Sequence, residues 1–120
     1  MARDDIGAAS ADTFPKLMLE HAAQRGDKPS IREKNLGIWQ TSTWRQVADE
    51  VRALACGLAA MGFQRGDHLA IIGDNRPRLY WAMTAAQSLG GVPVPLYQDS
   101  AAQEMIYVMH DGDIAFAIVE

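Results

Sequence analysis

Three histidines, one cysteine and a Gly-Asp-Asn turn supply most of the side chains in this sequence from which chemistry could be built. His21, His68 and His110 lie far apart, and none has a second His or Cys at metal-ligand spacing, so no zinc site is expected. His110 falls near a helix C-terminus, where a cation suits the helix dipole. Cys56 is the single cysteine; it cannot form an internal disulfide, which suits a reducing compartment. Its place in the apolar run 51–61 reads as that of a buried small hydrophobe. Gly73-Asp74-Asn75 follows an apolar strand and opens a helix, the position at which open α/β sheets bind ligands. Neither G-x-G-x-x-G nor G-x-x-x-x-G-K-[ST] occurs in the chain. Without closely spaced glycines the backbone cannot wrap a phosphate, and no lysine stands ready to neutralise one. Helix capping is therefore the role read for Asp74 and Asn75.

Other chemistries fail on missing partners. A phospho-acceptor receiver domain needs an acidic pair on the preceding strand and a lysine on a later one, and 114–119 contains no lysine. No Ser/His/Asp or Cys/His set can be assigned. Trp39, Trp44 and Trp81 read as packing at a hairpin, a helix start and a helix face. Met18, Met61, Met83, Met105 and Met109 occur at helical spacing and read as core fillers.

The bulk composition narrows the class further. The 120 residues carry a net charge of −4 and are 48% hydrophobic, so no nucleic-acid partner is expected. The start, Met1-Ala2-Arg3-Asp4-Asp5, is acidic and has no apolar core of a signal peptide. The longest nearly apolar stretch, 53–63, is well short of the ~20 residues that a membrane span needs. A cytoplasmic protein is expected, with peripheral membrane contact left to a larger parent.

The elements that must position these side chains follow from periodicity and turn chemistry. Residues 1–11 are small and polar and read as a disordered leader. Asp12 or Thr13 caps a helix with Phe14, Leu17, Met18 and Ala22 on one face, ending near Gly26. Strands at 30–34 and 38–41 flank a hairpin turn at Asn35-Leu36-Gly37. Thr43-Trp44-Arg45-Gln46 has capping-box spacing, and Val47, Val51, Leu54, Ala55 and Leu58 form the stripe of the helix it opens. A strand at 69–72 leads to a helix with Pro77 in its first turn and Leu79, Tyr80, Met83, Ala86 and Leu89 on its buried side. The strand 92–97 holds Pro93 and Pro95 and is expected to be short or irregularly paired. Ser100-Ala101-Ala102-Gln103 reads as a second capping box, before a helix turning Met105, Val108 and Met109 inward. The last strand, 114–120, is apolar on both faces and reads as the buried strand of a parallel sheet. Nothing after it could cover it, so the chain reads as the opening section of a larger protein. The expected fold is α/β, a parallel β-α-β-α-β unit preceded by helices and a β-hairpin.

The order of these pieces resembles a known family. Asp12-Thr13-Phe14-Pro15, then 29–34, then Thr41-Ser42-Thr43-Trp44 are similar to the start of AMP-forming acyl-CoA synthetases. The run from Gly66-Asp67 to Asn75-Arg76-Pro77 resembles that family's "G-D-x-V-A-I-x-x-x-N" segment. Residues 81–97 resemble its "A-x-x-x-G-A-x-x-x-P-L" segment, and Glu104-Met105-Ile106-Tyr107 the helix after it. The wording is that of the long-chain fatty acid ligases. The resemblance implies that 12–120 is the incomplete N-terminal segment of the large AMP-binding domain. It implies a parent that adenylates a fatty acid with ATP and Mg²⁺, releases pyrophosphate, and passes the acyl group to coenzyme A. The family's Ser/Thr/Gly-rich loop ending in Pro-Lys-Gly, its adenine-side segment, its ribose aspartate and its mobile lysine have no counterpart in this sequence. The catalytic and metal sets expected here are therefore empty, and the isolated chain is expected to be inactive and to bind no cofactor. One loop is carried over, Tyr97-Gln98-Asp99, which in some relatives lies near the coenzyme A entrance. An ordinary loop before Ser100 is the competing reading, and Asp99 would repel the phosphates of coenzyme A.

A stand-alone interaction or dimerisation module on the same scaffold is the alternative. It would hide its exposed sheet by self-association or on a partner chain. A small nucleotide-binding protein is disfavoured by the missing phosphate loop.

Overall fold

The computed structural model describes residues 11–120, so the leader read at 1–11 lies, except for Ala11, outside the described residues. The described chain forms two compact units, one up to Glu50 and one from Val51 to Glu120.

The first unit opens with α1 (Phe14–Arg25), continues through β1 (Pro29–Asn35) and β2 (Ile38–Thr43), and enters α2 (Trp44–Ala60), which runs on into the second unit. Thr13 caps α1: its Oγ1 accepts from Lys16 N at 3.4 Å. The Lys16 ammonium donates to Asp12 at 2.7 Å and holds that carboxyl below its ordinary pKa. A depressed pKa means the pair stabilises the folded helix above the unfolded value and is lost as pH falls through the folded one. The expected apolar face of α1 is only partly realised. Met18 is buried, but Phe14 is 73% exposed and Leu17 lies at the surface, because no described element covers that end of the helix. β1 and β2 pair antiparallel, with Asn35 opposite Ile38, so the turn contracts to Leu36-Gly37. Both turn residues have positive φ, 51° and 78°, as a two-residue turn matching the strand twist requires.

The capping box at the start of α2 is present in both directions. Gln46 N donates to Thr43 Oγ1 at 3.2 Å, and Thr43 N donates to Gln46 Oε1 at 2.9 Å. Val47, Ala48, Val51 and Leu58 are buried along this helix. Cys56 is exposed, against the expectation of burial. Five residues beyond Val51, it points about 140° away from the buried stripe.

The second unit is a parallel sheet with strand order β4-β3-β5. Its elements are β3 (His68–Ile72), α3 (Pro77–Ser88), β4 (Val92–Leu96), α4 (Ala102–Asp111) and β5 (Ile114–Val119). β3 is central, and Leu69, Ala70 and Ile71 are buried. The chain steps from β3 to β4 on one side and returns past β3 to β5 on the other. Right-handed crossovers in opposite directions put α3 and α4 on opposite faces of the sheet. Phe63 is buried beside Phe116 of β5, ring centroids 5.4 Å apart.

Several local expectations are corrected. β4 pairs with β3 in unbroken register from His68↔Val92 to Ile72↔Leu96, so its prolines do not disturb the ladder. Val92 N donates toward β3, to Asp67 O at 2.9 Å. By alternation Pro93 and Pro95 face the free edge, where no N–H is needed. On α3, Ala86 is buried as expected, but Leu79, Met83 and Leu89 are half-buried and Tyr80 is exposed, while Pro77, Ala82 and Ala85 are the other buried residues; the helix is apolar on most sides, so periodicity alone could not choose the face. Its N-cap is Arg76, with no side-chain cap bond, because Asp74 and Asn75 are engaged elsewhere. Ala101, not Ser100, caps α4, again without a side-chain bond, so the second capping box does not form. No residue of α4 is buried: Met105 and Met109 are half-buried, and Val108 is exposed. Trp39 and Met61 are also exposed, not packed. Among the described residues no helix is long and apolar enough to cross a membrane.

Candidate functional site: the C-terminal edge of the parallel sheet

All three parallel strands end on one side of the second unit, at Ile72, Leu96 and Val119. Main-chain groups at parallel strand ends are left without ladder partners, so the loops that follow form a crevice outside the sheet. The loops are Gly73-Asp74-Asn75-Arg76 after β3 and Tyr97-Gln98-Asp99 after β4, with Glu120 following β5.

The two turns singled out in the sequence meet here. The Gln98 amide donates to the Asp74 carboxylate, tying one loop to the other. A cleft of about 540 Å³ opens between them, lined by Gly73, Asn75, Leu79, Pro95 and Tyr97-Gln98-Asp99 among others. That volume suits a small ligand. Its lining mixes apolar Leu79, Pro95 and Leu96 with polar Asn75, Gln98 and Asp99; Tyr97 is 82% exposed, and Tyr80 Oη donates to Asn75 Oδ1 at 2.6 Å. A smaller cleft of about 150 Å³ lies on the β5 side, between Gly73, Arg78, Leu79, Ile118 and Glu120.

Arg76 is the residue that the sequence did not single out. Its guanidinium lies 3.4 Å from Asp74 and 3.4 Å from Glu120. Gly73 permits this closeness, since a Cβ there would sit 3.0 Å from Glu120 Cβ. Only the topology, which brings β5 beside β3, puts Glu120 next to residue 76; no local spacing signals it. The cation at this edge is thus already matched by carboxylates. Asp74, Asp99 and Glu120 outnumber Arg76 and Arg78, so the rim offers little to a bare phosphate.

The histidines are not brought together. His68 Nδ1–H donates to Gly112 O, joining the start of β3 to the turn before β5. The His21 ring lies 4.7 Å from Trp44, and His110 occupies the last turn of α4. Among the described residues no three His, Cys, Asp or Glu side chains are placed to hold a metal ion.

A family model described as AMP-binding enzyme matches residues 18–120. Long-chain-fatty-acid–CoA ligase FadD15 of Mycobacterium bovis is 30% identical over 113 residues, which is 91% of this chain and 18% of that protein. The chain thus spans less than a fifth of that relative. Solved structures share the fold, two of them from Klebsiella oxytoca and Legionella pneumophila. The N-terminal subdomain of Klebsiella oxytoca NpsA superposes with TM-score 0.79 at 24% identity, over 88% of this chain and 27% of that one. A fatty acid AMP ligase from Legionella pneumophila gives TM-score 0.81 at 18% identity, over 88% and 19%.

Proposed function

The chain belongs to the AMP-binding enzyme family, and on that premise we propose that residues 12–120 are the N-terminal scaffold segment of the large domain of a long-chain fatty acid–CoA ligase. The observation that carries this reading is the family match along 18–120 together with the similarity to a fatty-acid ligase. In the parent, a fatty acid carboxylate attacks the α-phosphorus of ATP and pyrophosphate leaves. The coenzyme A thiol then attacks the acyl carbon of the adenylate and AMP leaves. Mg²⁺ would neutralise phosphate charge in the first step, from ligands outside this segment.

This chain's own contribution is architectural. β3 and α3 fix the β3–α3 turn, and β4 carries Tyr97-Gln98-Asp99 to the same edge. We assign that loop to the coenzyme A entrance, with the exposed Tyr97 ring as a stacking surface for a base. Stacking of a base on an aromatic ring is worth roughly tenfold or more in affinity. Asp99 acts against phosphates, so the loop would meet the base end of coenzyme A. The exposed thiol of Cys56 supports a reducing cytoplasm as the compartment.

The purified 120-residue chain should show no fatty-acid-dependent exchange of pyrophosphate into ATP; clear exchange would sink the proposal of an empty catalytic set. The reading frame beyond Glu120 should encode a Ser/Thr/Gly-rich stretch closed by Pro-Lys-Gly. In that full protein, Tyr97→Ala should raise KM for coenzyme A and leave adenylation unchanged. A stop codon there would refute the ligase segment for this molecule. It would favour an interaction module, which the unpaired β5 edge and the unburied α4 also suit.

A further inference from the structure

The hairpin of the first unit breaks a local rule with no gain visible in its own packing. Leu36 sits at the first position of a two-residue turn with φ 51°, a left-handed conformation that Asn or Gly adopts with far less strain. Burial of the leucine side chain would offset that strain, yet it is 93% exposed. Ile38 and Trp39 beside it are each 66% exposed. A residue that is strained, apolar and bare at once is not selected by the folding of this hairpin.

The charges around this tip are ordered. Lys34 is directly opposite Trp39, and Arg32 directly opposite Thr41. Directly opposed residues share a face, as do alternate residues along a strand. One face of the hairpin therefore presents Trp39 with Arg32 and Lys34 and no carboxylate. Glu33 lies on the other face, paired with Gln40 and half-buried, and Ile38, opposite Asn35, lies on that face too.

We propose that the hairpin tip, Leu36 to Trp39, is a membrane-contact element that inserts into the interface of an anionic lipid bilayer. Leu36 at the tip enters the boundary between headgroups and acyl chains, the Trp39 indole takes the interfacial level favoured by tryptophan, and Arg32 and Lys34, on the face of Trp39, meet lipid phosphates. The face fits lipid better than a second copy, because two-fold pairing of the same face would set its cations near one another. It also fits lipid better than a typical protein partner, since lysine is depleted from protein interfaces. The inference needs no ligase activity, so it stands or falls apart from the proposed function.

The test uses the 120-residue chain with vesicles of phosphatidylcholine alone and of equal parts phosphatidylcholine and phosphatidylglycerol. Two cations near the surface should make binding to the anionic vesicles on the order of thirtyfold tighter, with the difference shrinking as salt is added. Brominated acyl chains should quench tryptophan fluorescence, and Trp39→Phe should remove that quenching although Trp44 and Trp81 remain. Leu36→Asn suits the turn, so it should keep or raise the thermal midpoint while weakening vesicle binding about tenfold through loss of the apolar side chain. Lys34→Glu should remove most of the anionic preference. The proposal is overturned by absence of binding to the anionic vesicles, by equal binding to both compositions, or by binding that Leu36→Asn and Lys34→Glu leave unchanged. It is equally overturned if Leu36→Asn dissolves an association between copies of a chain that ignores vesicles.

Discussion

At the scale of single residues, the start of α2 shows how two side chains settle a boundary. The first helical N–H groups have no partners within the helix, and Thr43 Oγ1 satisfies one of them at Gln46. Gln46 returns the bond to Thr43 N, and the backbone adds Arg45 N to Gly26 O at 3.1 Å. Arg45 also reaches Asp27 at 2.6 Å, but both groups are largely exposed, so that pair adds little. Thr43→Ala should therefore cost about 1 kcal/mol, read as a lower urea midpoint at unchanged slope, whereas Thr43→Ser should stay near the parent. A loss of only a tenth of that for Thr43→Ala would mean that the backbone bonds alone hold the helix start. The opposite case is the turn between β3 and α3. There Asp74 and Asn75 have the chemistry of caps, but Gln98, Arg76 and Tyr80 claim them. A cap can be read from sequence only when no distant group competes for the same oxygen.

That limit recurs at the scale of elements. The order of helices and strands, the parallel pairing and the stripe of α2 were all legible, because alternation, helical period and glycine or proline punctuation are local signals. Most errors concerned which side of an element is covered. α3 offers apolar groups nearly all round, and its buried face is decided by close packing of alanines on the sheet. Each of the two loops at the candidate site could be noted in the sequence because both follow strands, but Asp74 and Asn75 read as caps and nothing local signalled that the loops meet. Arg76 and Glu120 were not legible, since only the strand order brings them within 3.4 Å. Close packing also explains the glycine at the start of β4. A Cβ at Gly91 would meet Phe63 Cζ at 2.4 Å and Asp67 O at 2.8 Å, and Phe63 is itself held against Phe116. Gly91→Ala is expected to destabilise the second unit by about 2 kcal/mol through overpacking. Part of that loss should be recovered when it is combined with Phe63→Leu, giving a non-additive double-mutant cycle in urea unfolding. Strict additivity would show that the ring is not the obstacle.

At the scale of the whole molecule, the sheet is open at two edges that are chemically different. Pro93 and Pro95 strip the outer edge of β4 of donors, so an added strand could find few bonds there. β5 has no such guard. Glu120 N donates inward to Ile72 O at 3.0 Å, so by alternation along the regularly paired part of the strand the N–H groups of Ala117 and Val119 point outward. The strand carries no charge between Ile114 and Val119, and Val119 is 65% exposed. Such an edge is a template for another strand, whether one from a longer parent or one from a second copy. Isolated in solution, the chain should therefore associate with concentration, which light scattering would follow. Ala117→Pro carries to β5 the device already present on β4: it removes one outward donor and leaves the ladder to β3 intact. The variant should keep the circular dichroism of the parent and remain monomeric where the parent associates. If instead it associates as strongly as the parent while folded, the contact lies elsewhere, and the exposed surface of α4, with Ile106 and Tyr107 outward, becomes the place to mutate next. If it unfolds, Ala117→Lys makes the same test through charge, since a lysine on the edge opposes pairing without removing a hydrogen bond.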